Sequence, residues 1–443
     1  MSLLGSIFLN RRFFLLLTGI ILGMVFGFYF SPVFEIMKFL LFGFLLMSLM
    51  DLFILFRVKQ GILATRTMLE KLSNGDDNPL SIYVENRYGF KAHIQVIDEI
   101  PFQFQRRDIN FELNLESGEQ KSIQYQLRPT KRGVYSFGHI NIFVSSPLRL
   151  VKRRMKFEDP KEVPVYPSFI QMRKYELLAI SNDLVNLGIK KVRRIGHNME
   201  FEQIKDYVTG DDIRTINWKA TARRNQLMVN NFQDEKSQQI YSIIDMGRTM
   251  EMPFDGMTLL DYAINASLVI SNIAIKKDDK AGLISFNSKI KSIVPATKMN
   301  NQMFKIQETL YNQETDFSES DYSQLNYAIQ TKINQRSLLV LYTNFESRVS
   351  MERQFHFIQA LARRHVVLVV FFENSEIDTL LNKPPEKVRE IYYQAIGEQF
   401  ILEKKWVVRE LNKYGIYTIL TKPENLTVNT INKYLELKAR GVI

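Results

Sequence analysis

The sequence predicts a multidomain protein made of two transmembrane helices, an antiparallel β-sandwich and an α/β domain, and three observations carry that reading. Two long apolar runs stand near the N-terminus, short β-like segments follow without helical rhythm, and past residue 239 apolar strands alternate with amphipathic helices. With 443 residues, 46% hydrophobic and 24% charged, the chain has the composition of a folded protein with more than one core. The absence of cysteine excludes disulfides, thiolate metal sites and cysteine nucleophiles. A net charge of +11 suits an anionic membrane surface or nucleic acid.

Residues 13–30 carry no charge, and as a helix rising ~1.5 Å per residue this run just crosses ~30 Å of hydrocarbon. Residues 36–56 contain only Asp51 and Lys38, the latter near enough an end to snorkel toward water. These two spans form a helical hairpin within 1–64, turning at Ser31-Pro32. Arg11 and Arg12 precede the first span, Arg57, Lys59, Arg66 and Lys71 follow the second, and the turn has neither Lys nor Arg. Both termini are therefore expected on the cytoplasmic side. Arg11-Arg12 has some likeness to a twin-arginine export signal, but no small-residue cleavage site follows. Asp51 reads either as an intramembrane functional carboxylate or as a helix-end group touching water or the partner helix.

Six segments, 80–87, 91–100, 109–115, 121–127, 134–144 and 163–166, are rich in Ile, Val, Tyr and Phe and punctuated by Gly, Pro, Asn and Asp. This spacing predicts an antiparallel sandwich over 78–170. It holds no catalytic constellation. Lys152, Arg153, Arg154 and Lys156 read as a contact with anionic headgroups or as a solvated strand. Farther on, 240–244, 281–286, 338–342, 366–372 and 416–420 are apolar strands, with helical periodicity over 259–275, 302–311 and 325–333. Such alternation predicts a parallel sheet covered on both faces, over 239–443. Ligands of these sheets sit at the carboxyl ends of the strands.

Just past the first of those strands stands Asp245-Met246-Gly247-Arg248-Thr249. It resembles the Asp-x-Ser-x-Ser pattern of the metal-ion-dependent adhesion site of von Willebrand factor A domains, which implies a von Willebrand factor A-like, Rossmann-type domain. By position, Ser323 and Asn344 align with the ligands that a second and a third loop supply in such domains. These hard oxygens suit Mg²⁺, the one cofactor the pattern suggests. Gly247 brings no side chain and Asn344 no charge, so the site is degenerate. Tight divalent binding is not expected unless Asp316, Asp321 or Glu346 restores a carboxylate.

The segment Glu200-Phe201-Glu202-Gln203-Ile204-Lys205-Asp206-Tyr207, continuing through Gly210-Asp211-Asp212, Arg214, Trp218-Lys219 and Arg223, resembles the signature of the bacterial "domain of unknown function fifty-eight" family. The family pattern is roughly E-F-x-x-L-R-x-Y-x-x-G-D-D-x-R-x-I-D-W-x-x-S-A-R, and this chain departs from it at Ile204, Lys205, Asn217 and Thr221. Arg132-Gly133-Val134-Tyr135 and Val165-Tyr166-Pro167 resemble the family as well. Its members typically carry two N-terminal spans, a β-sandwich and a von Willebrand factor A-like domain. They are commonly encoded beside MoxR-type AAA+ ATPases, which implies an adaptor or chaperone-like role at the bacterial cytoplasmic membrane.

Read physically, Gly210-Asp211-Asp212 is a turn with Asp212 as an N-cap. Arg214, Lys219, Arg223 and Arg224 can pair with Glu200, Glu202, Asp206, Asp211 and Asp212 around Trp218 as an apolar anchor. Within the connecting segment 171–238 this network reads as an interdomain clamp or as a surface for an acidic partner. Lys190-Lys191-Val192-Arg193-Arg194 reads as a basic loop.

The five histidines, His93, His139, His197, His356 and His365, are scattered singly, and no Walker A, Gly-x-Gly-x-x-Gly, Gly-x-Ser-x-Gly or His-Glu-x-x-His motif is present. Catalysis is therefore not expected. Nor is nucleic-acid binding, since basic residues lack the interleaved aromatics of such grooves. The expected function is a membrane-anchored interaction module, partnered by a MoxR-type ATPase, protein clients and inner-membrane lipid. The alternatives are metal-dependent client binding and a scaffold that docks through the signature segment.

Overall fold

The computed structural model describes residues 3–157, 160–181, 199–209, 211, 213–234, 237–345, 347–374, 377, 380–385 and 387–443. The chain divides into two compact units, Met1–Tyr166 and Pro167–Ile443.

The first unit opens with β1 (Ile7–Leu9), α1 (Arg11–Gly27) and α2 (Ser31–Arg57). Asn10 starts α1 by accepting the Arg11 N–H at 2.8 Å, and Pro32 lies in the first turn of α2, where its missing donor costs nothing. The reversal thus falls at 28–30, before Ser31-Pro32 and not at it. A Cβ on Gly27 would meet the Phe34 backbone nitrogen at 2.8 Å, so only glycine lets the two helices approach there. By length and composition, α2 is apolar enough to cross a membrane. Leu259–Lys276 passes the same test, but 83% of its apolar window is buried, against 22% in α2, which marks it as a core helix.

Ten further strands follow: β2 (Ile62–Thr67), β3 (Leu72–Ser73), β4 (Asn78–Asn86), β5 (Ala92–Asp98), β6 (Asn110–Leu115), β7 (Gln120–Leu127), β8 (Gly133–Phe137), β9 (Ile140–Ser145), β10 (Val151–Phe157) and β11 (Lys161–Tyr166). They form sheets in the orders β1-β10-β9-β5-β6, β2-β4-β7 and β3-β11-β8. Pairing is antiparallel except between β3 and β11, which run parallel. Alternating residues such as Ile82, Val84, Ile94, Val96, Ile142 and Val144 join the first two sheets in one apolar core. The predicted segment 134–144 is in fact two strands, broken at Gly138-His139, and the basic run 152–156 is an inner strand of its sheet.

Asp51 is wholly buried within this unit. Its carboxylate accepts from the Ser146 hydroxyl and from the backbone N–H groups of Leu150 and Val151 at 3.1 and 3.0 Å. It acts as a bracket between α2 and the loop before β10. A second buried carboxylate, Asp98, takes the Arg66 guanidinium and the Tyr125 hydroxyl, and burial with that neighbouring charge drives the tyrosine far above its ordinary range.

The second unit runs α3 (Phe169–Ser181), β12 (Met199–Asp206), α4 (Trp218–Arg224), β13 (Met228–Asp234), β14 (Gln239–Asp245), β15 (Pro253–Phe254), β16 (Met257–Thr258), α5 (Leu259–Lys276), β17 (Lys280–Phe286), β18 (Ile290–Thr297), α6 (Gln302–Tyr311), α7 (Tyr322–Lys332), β19 (Leu338–Tyr342), α8 (Arg348–Ala362), β20 (Val366–Phe372), α9 (Val388–Lys413), β21 (Tyr417–Thr421) and α10 (Leu426–Ala439). Its main sheet has the order β18-β17-β14-β19-β20-β21. Every neighbouring pair is parallel except β17 with the edge strand β18. Central strands such as Leu338–Tyr342 are buried throughout, so both faces need helices. One face packs against α5, α6 and α10, the other against α7, α8 and α9. This order reverses direction beside β14, the place where doubly wound sheets open a crevice.

Candidate functional site

Asp245 ends β14 at that crevice and is 2% exposed. Four donors of its own chain surround it. One oxygen accepts from the Gly247 N–H at 2.9 Å and from the Ser320 hydroxyl, the other from Thr343 Oγ1 at 2.7 Å and Tyr322 OH at 3.2 Å. Burial raises the Asp245 pKa, and these four hydrogen bonds oppose the rise.

The five residues aligned with a metal sphere are engaged separately: Gly247 bonds Asp245, Asn344 bonds Thr249, and Ser323 bonds Asp321. Thr249 contributes its carbonyl, which accepts from Asn344 Nδ2 at 3.4 Å. Ser323 lies in the first turn of α7, donating its hydroxyl to Asp321 at 2.5 Å, while Asp321 caps that helix by accepting the Ser323 and Gln324 N–H groups. The hydroxyls that reach Asp245 are instead those of Ser320, Tyr322 and Thr343. Gly247 has no room for the missing ligand either: a Cβ there would stand 2.2 Å from Ser320 Oγ. Asp316 is held below the usual carboxylate range by the Ser318 hydroxyl and Lys291, and pairs with the latter at 3.1 Å. Glu346 lies outside the described residues. With the lone pairs of Asp245 engaged and Asn344 Oδ1 taken by a lysine, this donor set does not fit Mg²⁺.

That lysine is Lys404 of α9, which donates to Asn344 Oδ1 at 2.9 Å and to the Phe372 carbonyl. Burial pulls its pKa down to about 8, with Glu373 opposing. Lys404, Asn344, Met252, Glu373, Phe400 and Ile401 line a cleft of about 730 Å³ beyond the ends of β19 and β20. Spacing alone could not reveal this pairing, because Lys404 and Asn344 are 60 positions apart. For Ser320 a signal did exist: the run Ser318-Glu319-Ser320-Asp321-Tyr322-Ser323 offers three hydroxyls of one type, and the helix start at Asp321 selects among them.

The signature segment forms an arm. Among the described residues β12 and β13 pair only with each other as a strand ladder, and α4 stands between them in the chain. Asn217, where the family pattern has Asp, caps α4 by accepting the Ala220 N–H at 3.0 Å and donates to Asn230 at 2.8 Å. Thr221 accepts the Met228 N–H at 3.0 Å. Among the described residues, the expected charge network is represented by one ion pair. Lys205 pairs with Asp211 at 2.9 Å, and the Val208 N–H adds a second bond to that carboxylate. Lys219, Arg223 and Arg224 are exposed and make no ion pair among the described residues. Tyr207 is half-buried, its N–H bound to the Leu227 carbonyl. Gly210, Asp212, the basic run 190–194 and His197 lie outside the described residues, as do the side chains of Glu200, Phe201, Glu202 and Arg214.

Trp218 is the clearest departure from expectation. Far from anchoring a core, it is 70% exposed, as is Ile213, and Val208 is 63% exposed. A seven-residue helix carrying three cations next to such side chains is an amphipathic surface, not a packed one.

A doubly wound α/β unit with an apolar helical hairpin and antiparallel sheets before it is thus the class of protein the geometry defines. Residues 203–380 match the model of the family described as "Protein of unknown function DUF58". Uncharacterized protein YeaD of Bacillus subtilis (strain 168) is 26% identical over 184 residues, which are 42% of this chain and 43% of that protein. The chain therefore spans less than half the length of that curated relative. Among solved structures, the conserved hypothetical protein BatB from Bacteroides thetaiotaomicron is 10% identical, covering 46% of this chain and 98% of its own, with a TM-score of 0.30. A CARDB domain from Pyrococcus furiosus is 15% identical, covering 24% and 93%, with a TM-score of 0.17. At these scores neither likeness bears on the fold.

Proposed function

We propose that the protein is a membrane-anchored, non-catalytic interaction module, an adaptor for a MoxR-type AAA+ ATPase and its clients, that docks through the arm without a metal. In this reading α1 and α2 span the bacterial cytoplasmic membrane with both termini inside, the sheets of the first unit form a β-sandwich, and the second unit is a von Willebrand factor A-like domain with a closed adhesion site. The observation that carries it is the exposure of Trp218 and Ile213 beside Lys219 and Arg223. Trp and Arg are the residues in which binding energy concentrates when a partner covers them. Asp245 and Asn344, by contrast, are buried and engaged with their own chain, which argues against the sheet-end loops as the docking face.

The test is co-purification of the full chain, in detergent, with the MoxR-type ATPase of the same bacterium. Trp218→Ala combined with Arg223→Glu should lower capture by about tenfold or more, and chelation of divalent ions before ATP is added should leave the adaptor's contribution intact. Capture that survives the arm variant would move the docking face elsewhere; absence of capture by the unmodified chain would remove the ATPase as partner.

A further inference from the structure

Where the hairpin meets the sheets of the first unit, β10 gathers positive charge in a particular way. The Arg153 guanidinium reaches the end of α2 and donates to the carbonyls of Leu55 and Val58, both at 2.6 Å, and of Lys59 at 3.0 Å. The Leu55 and Val58 carbonyls belong to the last turn and C-cap of α2, the negative end of the helix dipole. They orient the guanidinium without neutralising it, and it forms no ion pair among the described residues. Arg154 is fixed by Asn141 at 2.6 and 2.9 Å and lies 3.9 Å from Glu99, whose field also reaches Lys156. Lys59 is exposed and has no acidic partner among the described residues.

These four cations share one cleft of about 430 Å³, with Phe56 on its wall and no acidic side chain among the described residues that line it. The cleft also borders an open strand edge. β1 pairs with β10 only over Val151–Arg153, so residues 154–157 have no strand partner on that side among the described residues. Lys59 stands two positions beyond the last residue of α2, whose outer face is apolar up to Phe53, itself 64% exposed. A ligand filling the cleft therefore meets ammonium and guanidinium groups together with Phe56 in the last turn of α2.

The geometry points to a binding site for the phosphate headgroup of an anionic phospholipid, held by Lys59, Arg153, Arg154 and Lys156, with its acyl chains along α2. This rests on the membrane-spanning reading of the hairpin and adds to it a chemical preference for one lipid class. Arg153 supplies fixed charge beneath the site, and Lys59 and Lys156 close over the phosphate oxygens. A neutral zwitterionic lipid brings its own cation into the same space and is disfavoured.

Native mass spectrometry of the full chain in neutral detergent tests this, with phosphatidylglycerol and phosphatidylcholine of identical acyl chains offered in competition. The unmodified chain should retain phosphatidylglycerol over phosphatidylcholine by about tenfold, and Lys59→Gln combined with Lys156→Gln should bring the ratio near one. Both lysines extend from the surface of the fold, so the variant is expected to keep its structure. Equal retention of the two lipids, or an unchanged ratio in the variant, overturns the site. Displacement of phosphatidylglycerol by millimolar inorganic phosphate would assign the cleft to free phosphate and overturn the lipid; retention supports it. Flotation with phosphatidylcholine vesicles under alkaline carbonate reads the anchor separately. A chain that does not float there lacks the anchor, whereas one that floats without lipid preference lacks only the headgroup site.

Discussion

At the carboxyl end of the six-stranded sheet, Asp245 is enclosed by Ser320, Tyr322, Thr343 and the Gly247 N–H, while on the arm Trp218 and Ile213 stand 70% exposed beside cations that have no acidic partner among the described residues. The first region has the residue types of a ligand-binding pattern and spends them on its own loops. The second has the residue types of a core and leaves them to solvent. Resemblance to a binding motif therefore says less than whether the donors and acceptors are already satisfied, since an engaged carboxylate must break its existing bonds before taking a ligand.

The contrast is sharpest if Asp245 is removed. Asp245→Ala removes the shared acceptor of three hydroxyls and one N–H, leaving Tyr322 and Thr343 bonded only to each other, and should destabilise the second unit by about 3 kcal/mol, read as a fall in its thermal midpoint. A midpoint that does not move would mean that the donors find other acceptors and that the site is open after all.

Lys404 allows a test through pH. Its pKa is lowered by burial to about 8 from 10.5, so between those values the unfolded chain carries a proton that the folded chain has shed. Stability relative to Lys404→Met should then rise with pH across that window, by up to about 3 kcal/mol, and be flat below it. Denaturant midpoints of both proteins measured from pH 7 to about 10 check the slope; a difference that falls with rising pH contradicts the burial.

Gly247→Ala should cost about 2 kcal/mol because the new methyl meets Ser320. Adding Ser320→Ala makes room, so the double variant should be less destabilised than the sum of the singles by about 1 kcal/mol. Strict additivity would show that Ser320 is not the neighbour that excludes a side chain.

On the arm the effects should be smaller. Asn217→Ala removes the cap of α4 and should cost about 1 kcal/mol, whereas Ser323→Ala, at an exposed helix start, should stay within about 0.5 kcal/mol. Amide hydrogen exchange over 218–234 would localise the first effect. A larger loss at Ser323 than at Asn217 would reverse the assignment of which polar residue supports its surroundings.

Much of the second unit's sheet is legible in the amino-acid order. The apolar runs at 240–244, 338–342 and 366–372 coincide with strands, because a strand buried on both faces needs an uninterrupted apolar side-chain series. The edge strand Ile290–Thr297 leaves no such trace, since it alternates Lys, Ser and Pro with apolar residues and is half covered. Nor does the basic run in Val151–Phe157 read as an inner strand. Its long cationic side chains reach across the sheet to Asn141 and Gln95 and beyond it to the end of α2, contacts that join separate elements of the chain.

What the sequence determines by itself is local: the periodicities, the caps at Asn10, Thr258 and Asp321, the apolar hairpin and the excess of positive charge. Each depends on residues within a few positions of one another, so spacing carries the information. What only the tertiary structure decides is which polar groups meet. Ser320 rather than Ser323 reaches Asp245, Lys404 finds Asn344, and Asp51 turns toward Ser146 in its own unit instead of toward lipid. A buried charge is tolerated only where donors converge on it from separate elements, and no linear pattern records that convergence.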